Sequence, residues 1–332
     1  MKKELEEILQ GMQKKRILII GDAIADIYLL GRIARISREA PVLVLEQAEE
    51  KIVAGGAANV VNNVATLGGS AEACGIVGTD SAAEGLRAVL AKNGALIDGL
   101  LTDKSRPTIA KTRIIAGGRE TVSQQIVRVD RESRLPLAPE LEDALLKYAE
   151  KRIEEGLAGV VLSDYGGAVV TDAVQQRLIK LCREKDIPAI VDSRYSVKRF
   201  EGVSYVKQND SELAAALGRE LSDDASIRAA GKELLELLGA EGVLVTRGDK
   251  GMTVIERGGK ITDIPVRDKS EVFDVSGAGD TCVAAFILAK AAGADSVSAA
   301  ELANLASGIA VRKQGTATVS AEELREAIVK FA

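Results

Sequence analysis

The chain contains no histidine among its 332 residues. Without imidazole it can build no Ser-His-Asp or Cys-His nucleophile pair, no His-x-x-His zinc site and no histidine proton shuttle near neutral pH. Acid and base work therefore falls to Asp, Glu, Lys, Tyr or Cys. Cysteine is scarce as well: Cys74, Cys182 and Cys282 are isolated, odd in number and without C-x-x-C spacing. They read as reduced, mostly buried thiols of a cytoplasmic protein. No run of five or more Lys and Arg occurs and the net charge is −5, which argues against nucleic acid as a partner. Long apolar runs are missing too, and the longest clean one, Cys282 to Ala289, is too short to span a bilayer. The start, MKKELEEILQGMQKK, has no apolar core of the kind a signal peptide needs, so a soluble protein with no membrane partner is expected. No repeat, low-complexity tract or Pro/Ser-rich linker divides the chain, which favours a single domain over residues 1–332.

What is present is alternation. Short Val- and Ile-rich runs alternate with amphipathic helical patterns, the sign of parallel strands joined by crossover helices. Strands are expected at 17–20, 159–162, 189–191, 204–206 and 242–245. Val60, Val64 and Leu67 share a helix face that ends at Gly68; Leu141, Leu145 and Tyr148 line a helix opened by Pro139; Ala284, Leu288 and Ala291 form the stripe of a third. Residues 29–53 and 108–129 follow a different rule. The second alternates on a two-residue period around Gly117-Gly118, and both read as an antiparallel ribbon added to the main unit as a lid.

The most informative string is Phe273-Asp274-Val275-Ser276-Gly277-Ala278-Gly279-Asp280-Thr281, just before an apolar helix. Gly277, Ala278 and Gly279 let backbone N–H groups point outward at a helix N-terminus, where the dipole favours a phosphate or developing negative charge. Asp280 would repel that phosphate unless it has another task, and accepting a proton from an attacking hydroxyl fits. The structural alternative is a Gly-rich turn whose acidic residue is favoured by the dipole. The Walker A pattern fails, because Gly231-Lys232 is followed by Glu233 and Gly259-Lys260 by Ile261. Gly55-Gly56-Ala57-Ala58-Asn59 opens another helix, where the glycines permit close approach of a small ligand and Asn59 offers a donor and an acceptor to a polyol, or simply caps the helix. Gly21-Asp22-Ala23-Ile24-Ala25-Asp26 follows the first strand, where its carboxylates could bind sugar hydroxyls or start a turn.

These strings, together with Asn209-x-x-Glu212 and Thr246-Arg247-Gly248 with Gly251, occur in the order and approximate spacing of the ribokinase-like, or phosphofructokinase-B, family of carbohydrate kinases. The chain resembles that family over nearly its whole length. The resemblance implies an α/β/α sandwich with a mostly parallel central sheet and a small antiparallel β lid, ATP and Mg²⁺ as co-substrates, and phosphorylation of a sugar hydroxyl. It implies Asp280 as the base, Asp26, Gly55, Gly56 and Asn59 around the sugar, Thr246, Gly248, Gly251 and Asn304 around the nucleotide, and Asn209 and Glu212 near the Mg²⁺. It also implies a homodimer formed through the lid.

A narrower resemblance is carried by Gly31 to Val42, by Leu162-Ser163-Asp164-Tyr165-Gly166 and by Gly315 to Ser320. These are similar to the kinase half of the bifunctional D-glycero-D-manno-heptose 7-phosphate kinase and ADP-heptose synthase family, which implies transfer to O1 of a heptose already carrying a 7-phosphate. A phosphorylated substrate would give Arg32, Arg35, Lys111, Arg113 and Arg128 a role in the lid, since guanidinium forks bind phosphate oxygens well; solvated charges on a ribbon face are the alternative. The sequence departs from that pattern at Arg38, at Gly167 where the family has Lys, at Asp192-Ser193-Arg194 where it has Asp-Pro-Lys, and at Gln208. The chain ends at Ala332, and a kinase without the nucleotidyltransferase half is expected. Two further readings stand beside this one: a kinase for another sugar or nucleoside, and an idle sugar- or nucleotide-binding regulator.

Overall fold

Ile17-Leu18-Ile19-Ile20, Val160-Val161-Leu162 and Val243-Leu244-Val245 are apolar at every position, and strands of that kind must be covered on both faces. The computed structural model, which describes residues 2–117, 123–133, 135–268 and 270–331, covers them so. In chain order its elements are α1 (Lys2–Gly11), β1 (Arg16–Gly21), β2 (Ala23–Ile36), β3 (Leu43–Gly56), α2 (Ala57–Thr66), β4 (Ser70–Val77), α3 (Ser81–Lys92), β5 (Leu96–Thr102), β6 (Ile109–Gly117), β7 (Gln124–Arg131), α4 (Pro139–Glu154) and β8 (Gly159–Asp164). There follow α5 (Asp172–Glu184), β9 (Ala189–Ser193), β10 (Tyr205–Asn209), α6 (Asp210–Leu217), α7 (Asp224–Leu238), β11 (Gly242–Thr246), β12 (Met252–Glu256), β13 (Ile261–Ile264), α8 (Ala278–Ala291), α9 (Ser296–Ala310) and α10 (Ala321–Phe331).

Nine strands form one sheet in the order β13-β12-β11-β10-β9-β8-β1-β4-β5. It is parallel from β11 to β5 and antiparallel at the β12 and β13 edge. Side chains alternate across it: Ile17 and Ile19 join a core shared with α1, α2, α8, α9 and α10, while Leu18 and Ile20 join a second core under α4, α5 and α7. Helix α8 is buried at every position from Asp280 to Ala289, so it lies inside one layer rather than on its surface. The chain runs from β1 outward to β4 and β5 on one side, then returns to β8 and proceeds the other way. That reversal places a crevice beyond the C-terminal ends of β1 and β8, the position where open parallel sheets bind ligands.

Helix α4 begins at Pro139 as expected, and Gly68 follows α2 with φ +96°, a conformation that favours glycine. The strand expected at 204–206 is shifted to Tyr205–Asn209. β4, β5, β12 and β13 carry no clean apolar run: Glu72 interrupts β4 and Asp98-Gly99 interrupts β5. Glu72 is nonetheless fully buried, gripped by Arg16 and by both sides of the Arg152 fork. The cysteines are free and buried.

The lid is a four-stranded sheet, β3-β2-β6-β7. Its outer pairs are antiparallel and its central pair, β2 with β6, is parallel. Its first ribbon is longer than residues 29–53, since β2 starts at Ala23 and β3 runs to Gly56. Those roots carry Asp26, Gly55 and Gly56 down to the crevice. Gly117 ends β6, and Gly118 lies outside the described residues.

Candidate functional site

The loop before α8 is shaped by one carboxylate. Asp274 Oδ1 accepts the Ser276 N–H (2.9 Å) and its Oδ2 accepts the Gly315 N–H (3.0 Å), tying the loop to the chain before α10. Two glycines at this helix start are required by what faces them. A Cβ on Gly277, which has φ +78°, would lie 2.6 Å from Asn59 Nδ2, and one on Gly279 would lie 2.8 Å from Lys207 Nζ. The N-terminus of α8 thus presents its first amides beside a buried ammonium, a combination suited to phosphoryl oxygens.

Asp280 projects from the first turn of α8 and is 4% exposed. Asn59 Nδ2 donates to its Oδ2 (2.8 Å) and the Tyr165 hydroxyl donates to its Oδ1 (2.9 Å). Burial pushes the carboxyl up to about 7; the Asn59 hydrogen bond opposes this, the charge of Asp192 adds to it, and Tyr165 and Lys207 oppose it. An aspartate with an ordinary value would be fully ionised at neutral pH, whereas burial moves this one toward neutrality, which suits a proton acceptor.

Lys207, on β10, pairs with Asp192 (3.0 Å) and lies 3.9 Å from Glu212. Burial works against its charge, but the two carboxylates outweigh it and hold the ammonium above the ordinary lysine range. Asn209 and Glu212 form a reciprocal capping box at the start of α6: Asn209 Oδ1 accepts the Glu212 N–H (2.7 Å) and Glu212 Oε2 accepts the Asn209 N–H (2.9 Å). Among the described residues no group of three or more acidic or cysteine side chains gathers as a metal cage. A carboxylate and an amide oxygen near the α8 N-terminus fit Mg²⁺, an ion that keeps waters and leans on a substrate's phosphate oxygens rather than on an all-protein cage.

A groove of about 570 Å³ opens at the outer face of the same helix start. Thr246, Gly248, Gly251 and Asn304 line it together with Ala278 and Gly279. Gly251 has φ +86°, and a Cβ there would lie 2.1 Å from the Ile264 carbonyl oxygen; Asn304 Nδ2 donates to the Pro265 carbonyl (2.9 Å).

On the lid side, Asp26 is 3% exposed, accepts Arg113 Nη1 (2.5 Å) and the Thr316 hydroxyl (3.4 Å), and packs so tightly on Gly55 that a Cβ there would lie 2.4 Å from Asp26 Oδ2. Gly56 has φ +54° and opens α2, which carries Asn59. Lys111 sits over the Tyr165 ring at 5.7 Å. Asp26, Gly55, Gly56, Asn59, Lys111 and Arg113 thus converge with Asp280. Arg128 and Arg35 do not. Arg128 stands opposite Arg113 but is half exposed and forks onto Asp130, and Arg35 is exposed up to roughly 30 Å along β2 from Asp26. Arg32 is exposed and paired with Glu46.

Sequence reasoning did not assign Tyr165, Lys207 or Asp192 to the site. The signals were slight: a lone Lys-Gln in an otherwise apolar strand end, and a tyrosine after Ser-Asp at the end of β8. Burial of a lysine at the C-terminal end of a parallel strand is the feature that marks it, and only the fold exposes that.

The match to the model described as pfkB family carbohydrate kinase covers residues 14–324. Curated relatives that carry the name bifunctional protein HldE include two of high coverage. That of Desulfatibacillum aliphaticivorans is 39% identical over 311 residues, 93% of this chain and 62% of that protein; that of Pelobacter propionicus is 38% identical over 328 residues, 98% and 66%. The chain therefore spans under two thirds of these relatives. Among solved structures, phosphofructokinase-2 from Escherichia coli in complex with substrates and products aligns with a TM-score of 0.76 at 20% identity, over 96% of this chain and 99% of that one. Ribokinase of Arabidopsis thaliana complexed with ribose and ATP aligns with a TM-score of 0.71 at 19% identity, over 96% and 98%. These two likenesses concern the fold. With the family model spanning almost the whole chain and the relatives near 40% identity, the chain belongs to the pfkB family of carbohydrate kinases.

Proposed function

We propose that the chain transfers the γ-phosphate of ATP to O1 of D-glycero-D-manno-heptose 7-phosphate, as one kinase domain closed by its lid. The observation that carries this reading is the position of Asp280. It lies at the start of α8 with the groove of Gly279, Thr246 and Asn304 on one side and Asp26, Asn59 and Lys111 on the other. In this reading the groove takes the nucleotide, with Thr246, Gly248, Gly251 and Asn304 around it. Asp26, Gly55, Gly56 and Asn59 orient the sugar, and Lys111 and Arg113 face its distal phosphate. As the new O–P bond forms and ADP departs, Asp280 takes the hydroxyl proton, and the amides of Gly277 to Gly279 and Lys207 stabilise charge on the transferring oxygens. Asn209 and Glu212 would hold Mg²⁺ through waters, whose chemistry there is to neutralise phosphate charge.

The substrate assignment rests on the motif resemblance and on the HldE relatives. A second reading, a kinase for a different sugar phosphate, is favoured by Gly167. A Cβ there would lie 2.5 Å from Ile109 and 2.6 Å from Asp22, so this loop has no room for the lysine that the heptose kinases carry. A coupled ADP-release screen over sugars and sugar phosphates separates the two. Heptose 7-phosphate as the best acceptor supports the first, and preference for another sugar phosphate overturns it.

A homodimer formed through the lid is part of the proposal. Ile36, Val127 and Val129 on that sheet, with Val42 in the turn before β3, leave apolar surface exposed, which a second copy would cover. Light scattering that finds a monomer at micromolar concentration would refute it. No described helix is long and apolar enough to cross a membrane, and use of ATP fits a cytoplasmic location.

A further inference from the structure

We propose that Tyr165, locked in place by Asp22, is a positioning residue for the Asp280 carboxylate. The inference rests on the reading of Asp280 as the proton acceptor.

On its own element Asp280 has Ala278, Gly279, Cys282 and Val283, small or apolar, and Thr281, whose hydroxyl is turned to Asn63 Oδ1 (3.1 Å) and the Gly277 carbonyl (3.1 Å), so no donor to its carboxylate comes from these neighbours. The grip comes from elsewhere: Asn59 of α2 holds Oδ2 and Tyr165, in the loop after β8, holds Oδ1. One donor leaves a carboxylate free to swing about its Cβ–Cγ bond. Two donors on different oxygens fix its plane and leave the remaining lone pairs aimed at the crevice, where an acceptor hydroxyl would meet them. The Tyr165 hydroxyl stays protonated and donating, because burial, the charge of Asp280 and that of Asp192 all raise its ionisation well above the ordinary value. The other groups facing this pair are Lys207 from β10, Glu212 from α6 and Lys111 from β6.

Tyr165 is in turn held through its backbone. Asp22, at the end of β1 and without solvent exposure, accepts the N–H groups of Tyr165 (2.8 Å) and Gly167 (2.9 Å) on Oδ2 and that of Val169 (3.3 Å) on Oδ1. Three amides of one loop converge on one carboxylate. The loop needs such a hold, since it contains Ala168 at φ +67°, a conformation that non-glycine residues rarely adopt. The carboxylate of Asp22 thus sets the height of the Tyr165 hydroxyl over the active centre although it lies outside the groove.

The test uses the full chain and the acceptor chosen by the ADP-release screen, and compares Tyr165→Phe, Asp22→Asn, the double variant and Asp280→Asn. Tyr165→Phe keeps the ring and its packing, so folding is preserved. It is expected to lower kcat about tenfold, leave the KM for ATP within about twofold, and move the acid limb of the kcat/KM profile upward in pH, because a donor that favours the charged carboxylate is lost. Asp22→Asn is expected to do the same to a smaller degree, and the double variant to be no worse than Tyr165→Phe alone, because both act through one hydroxyl. A Tyr165→Phe enzyme with unchanged kcat and pH profile, or a double variant whose losses multiply, overturns the inference. If instead Asp280→Asn keeps near-normal turnover, it is the reading of Asp280 that fails.

Discussion

Asn59 Nδ2 lies 2.8 Å from Asp280 Oδ2, joining residues 221 positions apart in the chain. Its orientation is not left to chance: Asn63 Nδ2 donates to Asn59 Oδ1 (3.2 Å), while Asn63 Oδ1 accepts from the Thr281 hydroxyl (3.1 Å) and the Val319 N–H (3.2 Å). The amide group of Asn59 is therefore turned so that its nitrogen, not its oxygen, meets the carboxylate. Asn59→Ala should lower kcat by about tenfold to a hundredfold and also raise the KM for the sugar, measured by steady-state kinetics. Unchanged kinetics would remove Asn59 from the site.

Replacing Asp280, the proposed proton acceptor, has a sharper consequence. Asp280→Asn should reduce phosphoryl transfer by about a hundredfold or more while nucleotide affinity, read by calorimetry, stays near that of the parent chain. The groove of Thr246 and Asn304 does not include the Asp280 side chain, which is why binding and turnover should separate.

The pH dependence follows from burial of the same carboxyl. Its folded value of about 7 stands above the ordinary one, so the active, ionised form is lost as pH falls through about 7, and kcat/KM should show an acid limb there rather than near 4. Because the folded value is raised, Asp280 also lowers stability as pH climbs from about 4 to about 7. Asp280→Asn should remove that component from a plot of unfolding free energy against pH. An acid limb below pH 5 would contradict the buried-base picture.

Far from the crevice, Glu72 is fully buried between Arg16 and Arg152, and Arg152 supplies two of the three hydrogen bonds from these guanidinium groups. Arg152→Ala would leave a buried carboxylate half-compensated, and should cost about 3 kcal/mol in urea unfolding with kinetics of the folded enzyme unchanged. A loss below about 0.5 kcal/mol would mean that Arg16 alone satisfies Glu72.

Strands β1, β8, β9 and β11 were legible because burial on both faces leaves a local signature, a run of aliphatic residues. β4 was not, because Glu72 makes its run look broken, and only the two arginines from β1 and α4 make a buried carboxylate tolerable there. Within the site, Gly277 to Asp280 and Gly55 to Asn59 stood out because glycine records a close approach in the sequence itself. Arg35 and Arg128 drew the same attention as Lys111 and Arg113, since a basic residue on a strand reads alike whether it faces the crevice or solvent. Lys207 carried almost no mark, and Tyr165 stood out only as part of the Leu162 to Gly166 string, with no role attached.

The histidine-free sequence by itself determined the parallel α/β core, the strand pattern of the second sheet and the glycine-rich starts of α2 and α8, all features set by neighbours a few residues apart. Which cations reach the crevice, why burial raises the Asp280 carboxyl and which donors hold it were decided only by the tertiary structure. Desolvation and hydrogen bonds between α2, α8 and the loop after β8 depend on distances that no local pattern encodes.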